Sequence, residues 1–307
     1  MSGTHAHSHA HGGVSAGSRH RGRLAIALVL IAGFLVVEIV AGFLSGSLAL
    51  LSDAGHMASD VVVLGAALAA TVLAAGPDRT GRRTFGNYRL EVFASLLAVL
   101  MMLGVAAFVL VEGVGRLIAP GDPDVASGPM ILVGAIGLAV NVVVMLLLRA
   151  GSSESLTVRG AYLEVLADAL GSVGVIVAGV LVAATGLGII DAIVALAVGA
   201  FVAVRAVLLG REVFAVLAQS VPAGLDAEAV RADLGALTGV EAVHDLHLWT
   251  LTSGMDVASA HLVAADGAVH QDVLERAQAM LLEHHGLEHA TLQIETADHS
   301  ACRELRW

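Results

Sequence analysis

Two pairs of ionisable residues, each with a spacing of four, lie inside otherwise apolar stretches of the sequence. The first is His56 and Asp60 in DAGHMASD, which follows LSGSLALLS and precedes VVVLGAALAATVLAA. The second is Glu164 and Asp168 in GAYLEVLADALGS. Residues four apart lie on one face of an α-helix, so each pair directs its donor atoms the same way. One imidazole and three carboxylates offer the nitrogen and oxygen ligands that suit a divalent cation such as Zn²⁺.

The two pairs also occupy equivalent positions in a weak internal repeat. A shift of 108 residues superposes His56 on Glu164, Asp60 on Asp168, and a Ser-Leu dipeptide before the first pair on one before the second. If the two segments pack side by side, the four side chains converge on one cation site. A lone His–Asp pair at this spacing is often only a hydrogen bond between helices, and the repetition favours the metal site. Asp53, one turn before His56, is interpreted as an entrance or proton-handling residue, or equally as a capping or packing residue.

The composition shows which solvent surrounds these residues. The chain has 307 residues, a mean hydropathy of +0.85, 57% hydrophobic residues and only 14% charged residues, whereas a soluble domain carries about 25% charged residues. A membrane-spanning helix needs roughly 20 apolar residues. Six runs qualify, at about 24–44, 48–74, 90–118, 129–148, 160–184 and 189–209. Ionisable residues in a bilayer normally face a cavity, pair with one another or carry function.

Basic residues predict the orientation of these spans. Arginines cluster before the first span, between the second and third, and between the fourth and fifth, whereas the loop APGDPDVASGP is acidic. By the positive-inside rule, both termini and the basic loops face the cytosol. The single cysteine fits a reducing cytosol. The short loops, with no organelle address, favour a bacterial inner membrane.

The chain divides into four predicted segments. Residues 1–23 form a disordered His-rich tail, 24–211 an all-α six-helix transmembrane domain, 212–297 a small cytoplasmic α+β domain, and 298–307 a C-terminal tail. In the cytoplasmic domain, a helix capped by Asp226 precedes two strands joined by a Ser-Gly turn, a helix ended by Gly286, and a last strand. This order is α-β-β-α-β.

Four motifs together resemble the cation diffusion facilitator family, the proton-coupled exporters of zinc and related ions. They are SLALLSDAGHMASD, RRTFGNYRLEVFASL, RGAYLEVLADALGSVGVIVAG and VHDLHLWTLTSG, and the likeness covers nearly the whole chain. The resemblance implies a six-helix membrane domain, a cytoplasmic domain of ferredoxin-like, metallochaperone-like topology, a homodimer, and export of Zn²⁺ in exchange for H⁺.

The resemblance also implies functional residues. The transport site would comprise His56, Asp60, Glu164 and Asp168, where Glu164 replaces the second histidine of many zinc-transporting members. A site with more oxygen ligands discriminates less against Mn²⁺, Co²⁺ or Cd²⁺. Some members bind a metal through histidine in the loop between helices two and three, but TFGNYR contains no histidine, so we expect no site there.

Further candidate ligands lie outside the membrane segments. By the family's pattern, the cytoplasmic domain would bind a regulatory ion through His244 or His247, His261 and Glu295, with His270 and His285 less securely placed; the alternative is that these are ordinary exposed histidines. The candidates in the tails are His5, His7, His9 and His11, which would bind metal loosely, and the pair His299 and Cys302, for which a solvated tail is the alternative.

These features together predict a secondary active transporter that exchanges cytosolic Zn²⁺ for H⁺ by alternating access. The net charge of −11, without a basic patch, argues against nucleic acid as a partner. A metalloenzyme is disfavoured because the sequence has no HExxH motif and no activated nucleophile. The remaining alternative is a membrane-anchored metal-sensing or metal-storage protein, which would not need paired polar residues within two spans.

Overall fold

The three-dimensional structure is a computed structural model, which describes residues 15–73, 84–118, 124–149, 156–252 and 254–296. The chain forms two compact units, Met1–Leu209 and Gly210–Trp307. The first consists of long apolar helices and the second is a small α+β unit, so the predicted fold class is confirmed. The domain boundaries proposed from the sequence stay predictions.

Six long helices make up the apolar part of the chain. They are α1 Ser15–Ser45, α2 Leu48–Leu73, α3 Arg89–Ile118, α4 Ser127–Arg149, α5 Leu156–Thr185 and α6 Ile189–Leu217. Five stretches of the described residues, in every one of these helices except α2, are long and apolar enough to cross a membrane. Many large apolar side chains on these helices are exposed, as expected for surfaces that face lipid. The protein is therefore an integral membrane protein.

Helix α2 is closely packed where it carries its charged residues. Gly55 contacts α3 so tightly that a Cβ atom at this position would overlap the side chain of Val105. Its neighbour His56 is buried. A glycine at this position lets α2 and α3 approach closely and holds the imidazole inside the helical bundle.

The start of α2 is held by a carboxylate from another helix. Asp191 of α6 is fully buried and accepts hydrogen bonds from Ser47 Oγ at 2.6 Å, from the Leu48 amide at 2.7 Å and from the Ala49 amide at 3.2 Å. Backbone amides in the first turn of a helix have no partner within the helix, and the helix dipole favours a negative charge there. Arg116 of α3 lies 3.7 Å from the same carboxylate. These contacts fix the position from which α2 runs towards His56.

The second unit has the predicted order of elements: α7 Ala227–Gly235, β1 Val240–Thr252, β2 Met255–Ala264, α8 His270–His285 and β3 His289–Thr296. The side chain of Asp226 accepts a hydrogen bond from the amide of Glu228 and caps α7, as expected. Gly286 ends α8 with a φ of 68°, in the left-handed region that glycine adopts most readily.

The three strands form one sheet in the order β1-β2-β3. β1 and β2 pair antiparallel, whereas β2 and β3, which are connected through α8, pair parallel. Buried side chains from the two helices and the sheet, among them Leu234, Leu262 and Leu281, form the core of this unit. The middle strand β2 thus places its side chains beside both of the others.

Candidate metal centres

The first candidate centre lies between α2 and α5. The Nε2 atom of His56 is 3.6 Å from Asp60 Oδ2 and 3.3 Å from Asp168 Oδ1. One ligand atom from each of these three residues lies within 4.8 Å of the others. His56 and Asp168 are buried, and Asp60 is partly buried. One nitrogen and two oxygen donors are thus close enough together to bind one small divalent cation.

The fourth predicted ligand, Glu164, belongs to helix α5, but its side chain lies outside the described part of the structure. Its position one turn before Asp168 puts both residues on the same face of α5. Its role as a ligand therefore stays a prediction.

A positively charged side chain that the sequence did not single out also contacts this centre. Arg205 of α6 has its Nη1 atom 3.0 Å from the Nε2 atom of His56. It is the only basic residue in the apolar run 189–209. A charged residue inside a membrane span normally faces the interior of the bundle, and this rule alone would have directed attention to Arg205.

Two further acids lie beside the centre. Glu38 of α1 and Asp53 of α2 are both buried, and their carboxyl groups are close enough to interact. A Cβ atom on Gly171 of α5 would lie only 3.0 Å from Asp53 Oδ1, so a glycine at this position leaves room for the carboxyl group. This geometry accommodates the proton-handling interpretation of Asp53, which stays a prediction.

The second candidate centre lies on the sheet of the α+β unit. His244 of β1 and His261 of β2 are paired across the two strands, and Glu295 lies on the adjacent strand β3. Glu295 Oε2 is 3.1 Å from His244 Nε2, and Glu295 Oε1 is 3.0 Å from His261 Nδ1. These three residues, here called the cytoplasmic trio, also have ligand atoms within 4.8 Å of one another. Two imidazoles and one carboxylate are a donor set that suits zinc.

His247 lies beside an acid that also approaches the cytoplasmic trio. The pairing of β1 and β2 is irregular between His244 and His247, and Asp245 within this irregularity has a φ of 51°. Such a bulge redirects side chains. Asp245 Oδ1 lies 3.1 Å from His247 Nε2, and Asp245 Oδ2 lies 3.9 Å from His261 Nε2. Asp245 is thus a second polar residue that the sequence analysis missed.

Glu295 is the most deeply buried member of the cytoplasmic trio. Burial alone would raise the pKa of its carboxyl group, but the hydrogen bond with His244 and the charges of His244 and His261 outweigh this effect. The pKa of Glu295 therefore lies below its ordinary value. Glu295 is available as an anionic ligand over a wide pH range.

Among the described residues, His270 and His285 belong to neither of the two groups of candidate ligands. His285 Nε2 contacts Asp233 Oδ2 at 2.9 Å, and His270 is the first residue of α8. The candidates in the tails, His5, His7, His9, His11, His299 and Cys302, lie outside the described residues.

Comparison with known proteins agrees with this organisation. Residues 24–218 match the cation efflux transmembrane domain, and residues 222–297 match the cation efflux protein cytoplasmic domain. The metal cation efflux system protein CzcD of Cupriavidus metallidurans is 41% identical over 276 residues, covering 89% of this chain and 86% of that protein. The cadmium, cobalt and zinc/H(+)-K(+) antiporter of Bacillus subtilis is 34% identical over 282 residues, covering 90% and 89%.

A further relative and a solved structure are also similar to this chain. The zinc transporter ZitB of Escherichia coli is 36% identical over 293 residues, covering 95% of this chain and 92% of that protein. A solved structure of the metal-bound C-terminal domain of the CzcD transporter of Cupriavidus metallidurans matches 23% of this chain and 99% of that domain, at 33% identity and a TM-score of 0.23. The two family domains and the similarity to the full-length relatives show that the chain belongs to the cation diffusion facilitator family. Members of this family are efflux transporters of divalent metal cations rather than enzymes.

Proposed function

We propose that this protein exports Zn²⁺ from the cytosol in exchange for H⁺, by alternating access to a site made of His56, Asp60, Glu164 and Asp168. The observation that carries the proposal is the convergence of one imidazole and two carboxylates from α2 and α5 among apolar helices. Ionisable groups buried among apolar helices are costly unless they are paired or functional. A binding site for a cation in transit gives them a function.

Competition between protons and metal at the same atoms supplies the coupling. Imidazole nitrogens and carboxylate oxygens bind metal only when deprotonated. When the site faces the cytosol, the ligands are deprotonated and take the cation. When it faces the more acidic outer side, protons compete for the same donors and release the cation. Transport should therefore slow when the cytosolic side is acidified.

Zinc is the first choice among the divalent cations, and the relatives support a wider range. The Escherichia coli relative is named a zinc transporter, and the Bacillus subtilis relative is named for cadmium, cobalt and zinc with H⁺ and K⁺. Glu164 would make the site richer in oxygen than a site with two histidines. We expect Cd²⁺, Co²⁺ and Mn²⁺ to compete more effectively as a result.

The cytoplasmic trio would bind a regulatory ion, with zinc the best match to its donors. Its residues come from three adjacent strands, so binding would tie the strands together without movement of the helices. We further propose that the protein is a homodimer in a bacterial inner membrane with both termini in the cytosol. The His-rich N-terminal tail would raise the local metal concentration, so its deletion should change apparent affinity more than maximal rate.

Metal uptake into proteoliposomes that carry a pH gradient tests the transport site. The protein would be oriented with the cytosolic face outward, and Zn²⁺, Cd²⁺, Co²⁺ and Mn²⁺ compared as substrates. Asp60→Ala should abolish gradient-driven uptake, whereas Glu112→Gln, which removes a half-exposed acid from α3, should leave uptake intact. Glu164→His should sharpen the preference for zinc. If Asp60→Ala transports like the wild type, the proposed site is wrong.

A further inference from the structure

The guanidinium of Arg205 lies at the nitrogen atom with which His56 would bind the transported ion. Arg205 Nη1 is 3.0 Å from His56 Nε2. The same nitrogen is the one closest to both acids, at 3.3 Å from Asp168 Oδ1 and 3.6 Å from Asp60 Oδ2. Arg205 thus interacts with the very atom that, together with the two carboxylates, defines the candidate transport site.

The chemistry of the two groups makes this contact incompatible with metal binding. Arginine offers only N–H donors and keeps its proton in proteins. A hydrogen bond from Arg205 therefore uses the lone pair of His56 Nε2. A metal ion bound to this nitrogen would use the same lone pair. Arg205 and a metal ion cannot both interact with Nε2 of His56.

The charge of Arg205 also matters to the empty site. Asp60 and Asp168 bring two carboxylates into an environment built from apolar helices, where uncompensated charge is costly. The guanidinium supplies one positive charge at this place. After the ion has left, Arg205 thus offsets part of the negative charge that the ion had neutralised.

In the position that contacts His56, the Arg205 side chain also lies over an aromatic ring of its own helix. Phe201, one turn earlier on α6, has its ring centroid 5.9 Å from Arg205 Cζ, within the range of a cation–π contact. Arg205 is half-buried rather than enclosed, and its long side chain can shift while its helix stays in place. The guanidinium can therefore move off His56 and keep a favourable contact with the Phe201 ring.

We propose that Arg205 is a tethered cation that occupies His56 when the transport site is empty and is displaced when the divalent ion binds. This inference rests on the proposed function and adds a residue to it. Arg205 weakens equilibrium binding of the ion, because the ion must displace it, and accelerates release, because it returns to His56. A residue that only joined α6 to α2 would have neither effect.

Equilibrium binding and transport by the purified full-length protein test this role. Zn²⁺ binding would be measured against a competing chelator at pH 7, and the transport site defined as the binding that Asp60→Ala removes. Arg205→Gln should raise the affinity of this site by about tenfold or more, since one positive charge beside the ion is removed. It should lower the apparent KM and the maximal uptake rate together. Arg205→Lys, which keeps the charge, should lie between Arg205→Gln and the wild type.

Arg211→Gln is the matched control, because it removes the same charge from an exposed position on the same helix. Its binding and uptake should equal those of the wild type. An Arg205→Gln protein that folds but binds zinc with unchanged or weaker affinity would overturn the inference. If the wild type itself shows no binding that depends on Asp60, the proposed function fails instead.

A second test uses only the wild-type protein, so it does not require that an Arg205 variant folds. Phenylglyoxal, which modifies arginine, would be applied to the protein with and without saturating Zn²⁺, and the labelling of Arg205 measured by mass spectrometry relative to that of Arg211. Displacement from His56 predicts more labelling of Arg205 in the zinc-loaded protein. Unchanged or reduced labelling would contradict the proposed displacement.

Discussion

The two candidate metal centres use the same kinds of ligand but are built in different ways. In the membrane unit, His56 and Asp60 lie one turn apart on a single helix, and a second helix supplies Asp168. In the α+β unit, each member of the cytoplasmic trio comes from a different strand of one sheet. Two helices can shift against each other, whereas hydrogen-bonded strands keep their spacing. The first arrangement suits an ion that must leave, and the second an ion that stays.

The two centres also differ in the charged groups that contact their histidines. His56 contacts a guanidinium as well as two carboxylates, whereas His244 and His261 both contact one anionic carboxylate, that of Glu295. By the proposed role of Arg205, an ion that binds at the first centre must displace the guanidinium from His56 Nε2, and this displacement lowers the net affinity. We therefore expect the transport site to bind zinc more weakly than the cytoplasmic trio.

The largest expected effect is loss of transport in Asp168→Asn. This change keeps the size of the side chain but removes the carboxylate that, among the described residues, lies nearest to His56 Nε2. We expect gradient-driven zinc uptake to fall by at least about a hundredfold, since an amide is a much weaker ligand than a carboxylate. Zinc binding to the cytoplasmic trio should not change. Substantial uptake by this variant would argue that the ion crosses elsewhere.

The next effect concerns the carboxylate that holds the start of α2. Asp191→Asn leaves the position filled but weakens the contacts to Ser47 and to the amides of Leu48 and Ala49. Loss of a good helix cap costs about 1–2 kcal/mol. We expect a lower melting temperature and a reduced uptake rate with little change in KM, because fewer molecules keep His56 in position. Unaltered stability would show that α6 does not anchor α2.

A smaller effect on transport is expected for Glu295→Gln. It should weaken zinc binding to the cytoplasmic trio by roughly ten- to a hundredfold, because the trio loses its only carboxylate. Transport should need a higher zinc concentration for activation but reach a similar maximal rate. Asp233→Asn, which alters an acid beside His285, is the control. A complete loss of transport would show that the trio is required for movement of the ion itself.

The smallest effect is a pH dependence of stability that comes from Glu295. The pKa of its carboxyl group is lowered from 4.5 in the folded protein, so folding favours the ionised form. The resulting stabilisation is complete above pH 4.5 and is lost as the pH falls through the lower pKa of the folded state. In the metal-free protein, the difference in melting temperature between wild type and Glu295→Gln should therefore narrow on acidification below pH 4.5. A difference that stays constant would show that the charge of Glu295 does not contribute.

Local patterns in the sequence were enough to predict the helices and strands. The apolar runs predicted the long helices, because hydrophobicity over about 20 residues depends on composition alone. The spacing of apolar residues and the residues at helix ends predicted the order α-β-β-α-β of the second unit. Asp226, which caps α7, and Gly286, which ends α8, are examples. The His56–Asp60 pair was predictable because the pitch of a helix fixes the distance between residues four apart.

Contacts between distant residues were decided only by the tertiary structure. Arg205 meets His56 across 149 residues of chain, and Asp191 meets the start of α2 because of how α6 packs against it. The position of Asp245 depends on an irregularity in the pairing of β1 and β2, which no local pattern in the sequence predicted. Helix rotation, helix depth and strand register depend on packing summed over many residues. The sequence therefore determined which residues have side chains able to bind a metal ion, and the packing decided which of these side chains meet.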